Sequence, residues 1–173
     1  TIFNEGWGQF YSDDMYDMVK EMDASRIIDA TSGWFRRQKS DVESSHIYFK
    51  ELGLPETERP HVLSEFGGYS YIMEEHCFSL HNQHGYGFYK DTESLTDRIV
   101  ETYEKMVIPA IAKGLCGSVY TQLSDVEEEV NGLYTYDRKV CKVDAEKMRE
   151  LSKRLSIDKV TPLTYNLPKR EKE

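Results

Sequence analysis

Residues 61–68 read HVLSEFGG, a short apolar strand that runs directly into a carboxylate and is stopped by two glycines. Val62 and Leu63 are typical of a buried strand, and Gly67 and Gly68 interrupt it immediately after Glu65. Removing a carboxylate from water is costly unless it has a partner or a task. The pattern therefore predicts a strand with a functional acid at its carboxyl end.

The same arrangement occurs in residues 1–8, which read TIFNEGWG. Three β-forming residues lead to Asn4 and Glu5, and a Gly-Trp-Gly turn follows at once. A purely structural role is the alternative here, with Glu5 capping the next helix or pairing with a base. Acids in such positions mark functional sites only statistically, so both interpretations of Glu5 stay open at this point.

Strand and helix patterns alternate along the rest of the chain. Further strands are predicted in 26–31, ending at Thr31, in 45–50 and in 117–123, and amphipathic helices are predicted after Ser12, Ser94 and Asp144 as N-caps. The long segment 71–91, rich in aromatic residues and histidine, is predicted to be an ordered loop over a site. Alternation of this kind is typical of βα units and a parallel sheet, and five strands match half of an eight-stranded barrel.

Composition limits the possible partners. The 173 residues suit one compact unit or a piece of a larger one, and we predict a domain over 1–160 with a charged tail over 161–173. A net charge of -9 predicts no nucleic-acid partner and favours a neutral or cationic ligand. No segment has the length of a membrane span, no signal peptide is visible, and the cellular compartment is not predicted. Three widely spaced cysteines without a CxxC pair indicate buried free thiols.

Glu5 and Glu65 can be interpreted as a pair, because each follows a predicted strand. In a βα barrel the carboxyl ends of the strands form the rim where chemistry takes place. Two acids that face each other across a cleft are the minimum needed to cleave a glycosidic bond, one as proton donor and one as an ionised group. Trp7, Trp34 and Tyr120 also fall at strand ends, where flat rings can stack on sugars; core packing is the alternative for each of them.

Four motifs support this interpretation: residues 3–10 (FNEGWGQF), 31–34 (TSGW), 64–70 (SEFGGYS) and 117–138 (GSVYTQLSDVEEEVNGLYTYDR). Together they resemble the catalytic TIM barrel of glycoside hydrolase family 2, which contains β-galactosidases, β-glucuronidases and β-mannosidases. The resemblance covers nearly the whole chain. It implies an α/β fold that is the C-terminal half of a (β/α)8 TIM barrel, strands 4 to 8.

The resemblance also implies a retaining mechanism and specific roles. Glu5 would be the general acid/base and Glu65 the nucleophile, and Asn4 would bind the 2-hydroxyl of the sugar. Tyr48 would orient the nucleophile, and His46 lies on the same predicted strand as a substrate-binding residue. Trp7, Trp34 and Tyr120 complete the predicted substrate-binding set.

This sequence departs from the family pattern in three places. Phe49 follows Tyr48 where the family often has proline, and residues 120–122 read YTQ where many members place a tryptophan. The Asn-x-Lys signature with which β-glucuronidases hold a uronic carboxylate is missing from the sequence.

We predict no cofactor and no metal, because neither the histidines at 76, 81 and 84 nor the acids at 127–129 follow a metal-binding pattern. The predicted partner is a β-glycoside substrate, with no nucleic acid and no membrane. Because the chain begins inside the fourth strand of the family's barrel, we expect it to self-associate or to depend on a missing N-terminal half. We expect the isolated chain to be inactive.

Two alternatives remain open. The chain could be a catalytically silent half-barrel that serves only in carbohydrate binding or assembly. It could also be a different carboxylate-dependent enzyme on a related barrel, for which inversion is one possible mechanism. Carboxyl groups about 5–5.5 Å apart favour retention, whereas roughly 6.5–9.5 Å favours inversion.

Overall fold

The computed structural model of this chain describes residues 1–155, and within that range it contains five strands and four α-helices. The elements are β1 (Phe3–Asn4), α1 (Ser12–Met22), β2 (Thr31–Ser32), β3 (Glu43–Ile47), β4 (His61–Gly67), α2 (Thr92–Thr102), α3 (Ile108–Ile111), β5 (Leu115–Thr121) and α4 (Ala145–Arg154). A π-helical turn over Tyr103–Val107 joins α2 to α3. The predicted domain end at 160 and the predicted tail over 161–173 lie outside the described residues.

All strand pairs are parallel. β1 pairs with β2, and β3, β4 and β5 form a second sheet in that order. Side chains connect the two sheets: the Gly33 amide donates to Ser44 Oγ (3.2 Å), and Ser44 Oγ donates to Asp29 Oδ1 (3.0 Å). The prediction of an α/β fold with parallel strands and helices is confirmed. Residues 1–155 form no closed barrel, and assignment to half of one stays a prediction.

The hydrophobic core lies between β4 and the helices that follow it. Leu63 and Phe66 of β4 are fully buried against Leu95 and Ile99 of α2, and Val107 of the π-helical turn joins the same cluster. Burying side chains of this size contributes about 1.5–3 kcal/mol each. β4 is therefore the best anchored strand, and it is the strand that carries Glu65.

The predicted helix starts were partly wrong. Asp144 does cap α4, because its side chain accepts from the amides of Glu146 and Lys147. Ser12, in contrast, is the first residue of α1, and α2 is capped by Asp91, whose side chain accepts from the Ser94 amide at 2.7 Å. α2 begins at Thr92, before its apolar stripe, and the Ser94–Asp97 spacing placed the cap three residues too late.

Two other expectations concern the loops and thiols. The segment 71–91 is irregular apart from a 3₁₀ turn at Glu74–His76, as predicted. The three cysteines are free, but none is buried: Cys116 is exposed, and Cys77 and Cys141 are partly exposed. Among the helices of residues 1–155, none is both long and apolar enough to cross a membrane.

A buried ion pair organises the segment after β5. Lys142 Nζ lies 2.7 Å from Asp125 Oδ1, and both side chains are almost wholly buried. Lys142 also donates to the Val130 carbonyl (2.9 Å), and the same Asp125 oxygen accepts from the Gly132 amide (2.8 Å). Burial raises the pKa of Asp125 and lowers that of Lys142, although each lies beside the opposite charge. Desolvation therefore makes each charge dependent on its partner.

We predict that Lys142→Met lowers the free energy of unfolding by about 3–5 kcal/mol, because it leaves Asp125 buried without its cation. Urea denaturation followed by circular dichroism measures the change. Lys139→Met is the matched control, since Lys139 is exposed, and we expect it to change the value by less than about 0.5 kcal/mol. Equal effects of the two substitutions would contradict the role of the pair.

Candidate active site

Three side chains from three different strand ends meet at one point. Glu5 follows β1, His46 lies in β3 and Glu65 lies in β4. His46 Nδ1 is 2.8 Å from Glu5 Oε1 and 3.4 Å from Glu65 Oε2, and the three atoms all lie within 4.8 Å of one another. The structure therefore brings together the two acids that the sequence singled out, with one imidazole between them.

An irregularity in β4 sets the direction of Glu65. Against β3, Ser45 pairs with Leu63 while the next residue, His46, already pairs with Glu65. The register on the β5 side shifts over the same stretch, between Leu63 and Phe66. An extra residue in one strand is a β-bulge, which re-aims side chains and often occurs beside active sites. Phe66 consequently enters the core, while Glu65 stays partly exposed beside His46.

Glu5 adopts a backbone conformation that is unusual for a residue with a side chain. Its φ is 54°, in the left-handed region, while its amide donates to the Ser32 carbonyl at 3.0 Å. This conformation costs a non-glycine residue about 1–2 kcal/mol. Strain of this kind concentrates at functional sites, because the surrounding structure must hold it in place.

Tyr48 supplies the main hydrogen bond to Glu65. Its hydroxyl donates to Glu65 Oε2 at 2.6 Å, and its oxygen lies 3.3 Å from Thr121 Oγ1, which can donate to it in turn. Burial and the bond to the carboxylate raise the pKa of Tyr48 far above its ordinary value. The hydroxyl therefore keeps its proton at neutral pH and donates a hydrogen bond to the Glu65 carboxylate.

A relay of three serines fixes the protonation of His46. The ring is fully buried, and its Nε2 lies 3.0 Å from Ser32 Oγ. Ser32 donates to Ser64 Oγ (3.2 Å), and Ser64 donates to the Ser45 carbonyl (3.3 Å). Because a carbonyl only accepts, the hydroxyl protons of Ser64 and Ser32 are both committed. Ser32 Oγ must therefore accept from His46, so that Nε2 carries a hydrogen.

This assignment leaves Nδ1 of His46 facing Glu5. A single proton between these two groups can sit on Nδ1 and point to an ionised Glu5, or sit on Glu5 and point to Nδ1. Glu65, in contrast, receives a hydrogen bond from Tyr48, which stays protonated. The two acids thus have different surroundings. Glu5 shares a proton with His46, whereas Glu65 accepts a hydrogen bond from Tyr48. That is the division needed between a proton donor and a nucleophile.

Gly33 makes room for the imidazole. Its φ is +87°, and a Cβ at this position would lie 2.5 Å from the His46 ring. Any side chain at position 33 would therefore displace His46 from the two acids. Trp34 follows directly and packs its ring against His46, with centroids 6.3 Å apart.

The other predicted site residues divide into two groups. Asn4 and Trp7 lie exposed on either side of Glu5 in the chain, with Trp7 81% exposed, and Trp34 is about half exposed. These three are accessible for a ligand. Tyr120 instead packs edge-on against Phe66, and burial raises its pKa well above the ordinary value. The packing alternative therefore describes Tyr120 better than a sugar contact.

Sequence reasoning missed Tyr86. Its ring stacks on Tyr48 with centroids 4.1 Å apart and an angle of 19° between the planes. The only signal for it was the richness in aromatic residues of the segment 71–91, which predicted a loop over a site but not which ring would reach it.

The cluster also has the composition of a possible metal site. Glu5, His46 and Glu65 offer two oxygens and one nitrogen at suitable mutual distances. A cation would require an unprotonated Nδ1, however, and would replace the proton that Nδ1 and Glu5 share at 2.8 Å. The expectation of a metal-free site stays a prediction.

Comparisons with known proteins add no assignment. Neither a scan against protein-family models nor a search of curated proteins finds a match for this chain. Any functional conclusion therefore rests on the residues of the site.

The serine relay predicts the tautomer of His46. In ¹⁵N–¹H long-range correlation spectra, with His46 assigned through His46→Gln, we expect Nε2 to carry a hydrogen between pH 5 and pH 8. Ser64→Ala removes the acceptor for the Ser32 proton and should alter the His46 signals, while Ser79→Ala, in an exposed turn, should not. A neutral ring with hydrogen on Nδ1 and none on Nε2 would contradict the relay.

Proposed function

We propose that this chain carries the catalytic pair of a retaining β-glycosidase similar to glycoside hydrolase family 2. Its five strands would correspond to strands 4 to 8 of a (β/α)8 barrel. The observation that carries the proposal is the approach of Glu5 and Glu65 to the same imidazole, with one oxygen of each within 4.8 Å of the other. Two carboxyl groups placed in this way can cleave a glycosidic bond.

The spacing favours retention over inversion. An inverting enzyme needs its carboxyl groups roughly 6.5–9.5 Å apart, because a water molecule must fit between one of them and the sugar. Here a single imidazole nitrogen reaches both acids, at 2.8 Å and 3.4 Å. A pair this close suits direct attack by a carboxylate on the anomeric carbon.

The reaction would proceed in two displacements. Glu65 attacks the anomeric carbon while Glu5 gives its proton to the leaving glycosidic oxygen, which releases the aglycone and forms a glycosyl ester on Glu65. Glu5 then accepts a proton from water, whose oxygen attacks the same carbon and frees Glu65. The sugar leaves with its original β configuration.

Neighbouring residues would support these steps. His46 would exchange the shared proton with Glu5, and Tyr48 would orient Glu65 through its 2.6 Å hydrogen bond. Asn4, next to Glu5, would bind the 2-hydroxyl as the family resemblance implies, and the exposed rings of Trp7 and Trp34 would stack on the substrate.

The open edges of the sheets agree with a partial barrel. Within residues 1–155, β1 pairs only with β2 and β5 pairs only with β4, so each has a free outer edge. Free edges are aggregation hazards that proteins usually cover. We propose that further strands cover them, from another part of the protein or from a second copy.

A mechanism-based inactivator tests the proposal. We treat the longest gene product that contains this sequence with 2-deoxy-2-fluoro β-glycosyl fluorides and determine intact mass and the labelled peptide. The expected result is one glycosyl group on Glu65, no labelling of Glu65→Gln, and a fall in aryl β-glycoside turnover of at least about a thousandfold in that variant. Glu58→Gln, at an exposed site, is the matched control.

Glu5→Gln separates the two acid roles. This variant should keep most of its kcat/KM on substrates with a good leaving group and lose it on alkyl glycosides, because only the latter need a proton from Glu5 in the first displacement. Its kcat should fall on both, because the second displacement loses the base that accepts the proton from water. No labelling with any sugar would support the silent, carbohydrate-binding alternative and overturn the proposal. Labelling that persists in Glu65→Gln would overturn the assignment of the nucleophile.

A further inference from the structure

Tyr86 is held firmly beside the catalytic pair, although the mechanism above does not use it. Its amide donates to the Gly68 carbonyl at 2.8 Å, and its ring stacks on Tyr48. Gly68 has a φ of +65°, and a Cβ there would lie 2.4 Å from the Tyr86 ring, so the ring rests directly on the backbone. Among residues 1–155, no protein group hydrogen-bonds the Tyr86 hydroxyl. The Tyr86 hydroxyl is thus an ordered hydrogen-bond donor with no acceptor among these described residues.

A carboxylate and an amide are fixed nearby. Gln122 directly follows Thr121, the residue beside the Tyr48 hydroxyl, and Gln122 Nε2 donates to Glu129 Oε2 and to Asn131 Oδ1, each at 2.7 Å. The Glu129 side chain is thus held in place although the residue is exposed.

The backbone ties Glu129 to the segment that carries Tyr86. The His84 amide donates to the Glu128 carbonyl (2.8 Å), and the Val130 amide donates to the His84 carbonyl (3.2 Å). His84 is two residues before Tyr86, and its ring lies edge-on to the Tyr86 ring at 5.8 Å. These backbone hydrogen bonds therefore hold the segments that carry Tyr86 and Glu129 side by side.

The surroundings of Tyr86 are strongly negative. Burial raises the pKa of Tyr86, and the charges of Glu5, Glu129 and Glu65 raise it further. Within residues 1–155 no lysine or arginine forms an ion pair with any of these three acids. His46, which is charged only when protonated, is the one basic side chain paired with Glu5 and Glu65 in this range. The protein as a whole carries a charge of -9.

We infer that Tyr86, Gln122 and Glu129 form a sugar-binding subsite that selects neutral β-hexosides and rejects β-uronides. The inference rests on the proposed glycosidase function and names its substrate class. The Tyr86 hydroxyl donates to a sugar oxygen, and the Gln122 carbonyl and Glu129 carboxylate accept from sugar hydroxyls. A uronic carboxylate would add a further negative charge beside Glu65 and Glu129, and within residues 1–155 no lysine or arginine forms an ion pair with either acid.

The test compares two substrate classes in the longest gene product that contains this sequence. We measure kcat/KM for the 4-nitrophenyl β-glucuronide and for the matching β-glucoside, β-galactoside and β-mannoside. Wild type should prefer a neutral hexoside. Glu129→Gln removes one negative charge and keeps the shape, so the ratio of glucuronide to hexoside kcat/KM should rise roughly tenfold. Glu127→Gln, an exposed acid two residues away, should leave the ratio unchanged.

A second variant tests the hydroxyl. Tyr86→Phe keeps the ring on Tyr48 and removes only the donor, so KM for the neutral hexoside should rise several-fold while kcat changes less. Thermal unfolding at the wild-type temperature confirms that each variant folds.

The outcomes separate the two proposals. If neutral hexosides are hydrolysed but Glu129→Gln leaves the ratio within twofold, or if wild type prefers the glucuronide, the subsite inference is overturned and the glycosidase function stands. If no compound is hydrolysed and no inactivator labels Glu65, the proposed function fails and the inference fails with it.

Discussion

The contact of one buried imidazole with two carboxylates is the interaction on which the rest of the site depends. Glu5 and Glu65 would repel each other at this distance if both were ionised and nothing lay between them. His46 reduces that repulsion by placing a proton between them, and the serine relay behind the ring determines which nitrogen faces the acids. The arrangement requires three strands to end at the same edge of the fold. Parallel strands meet this requirement, because their carboxyl ends all lie on one side.

The site is held by contacts that lie outside it. The bulge in β4 turns Glu65 away from the core that Leu63 and Phe66 anchor. On the other side, the buried Lys142–Asp125 pair holds the loop that presents Glu129. The left-handed backbone at Glu5 and the desolvated Lys142–Asp125 pair each cost free energy, and packing elsewhere offsets these costs. The loops after β4 and β5 thus connect the stabilising contacts to the geometry of the site.

The sequence predicted the two acids because the signal is local: an apolar strand, a carboxylate and then glycine, found twice. It also predicted the parallel α/β character. It could not predict the contact of His46 with Glu5, because that contact depends on the register between strands far apart in the chain. Tyr120 was assigned to the cleft and Tyr86 was missed for a similar reason. A tyrosine suits both a core and a rim, and only the path of the loop decides between them.

The configuration of the first product tests the central claim most directly. Hydrolysis of an aryl β-glycoside by the longest gene product that contains this sequence can be followed by ¹H NMR, which distinguishes the two anomers before they interconvert. Two adjacent carboxylates that act through a glycosyl ester predict that the β-hemiacetal appears first and the α-anomer only later, by mutarotation. An α-hemiacetal as the first product would contradict the account, because it requires a water molecule between acids that here share one imidazole.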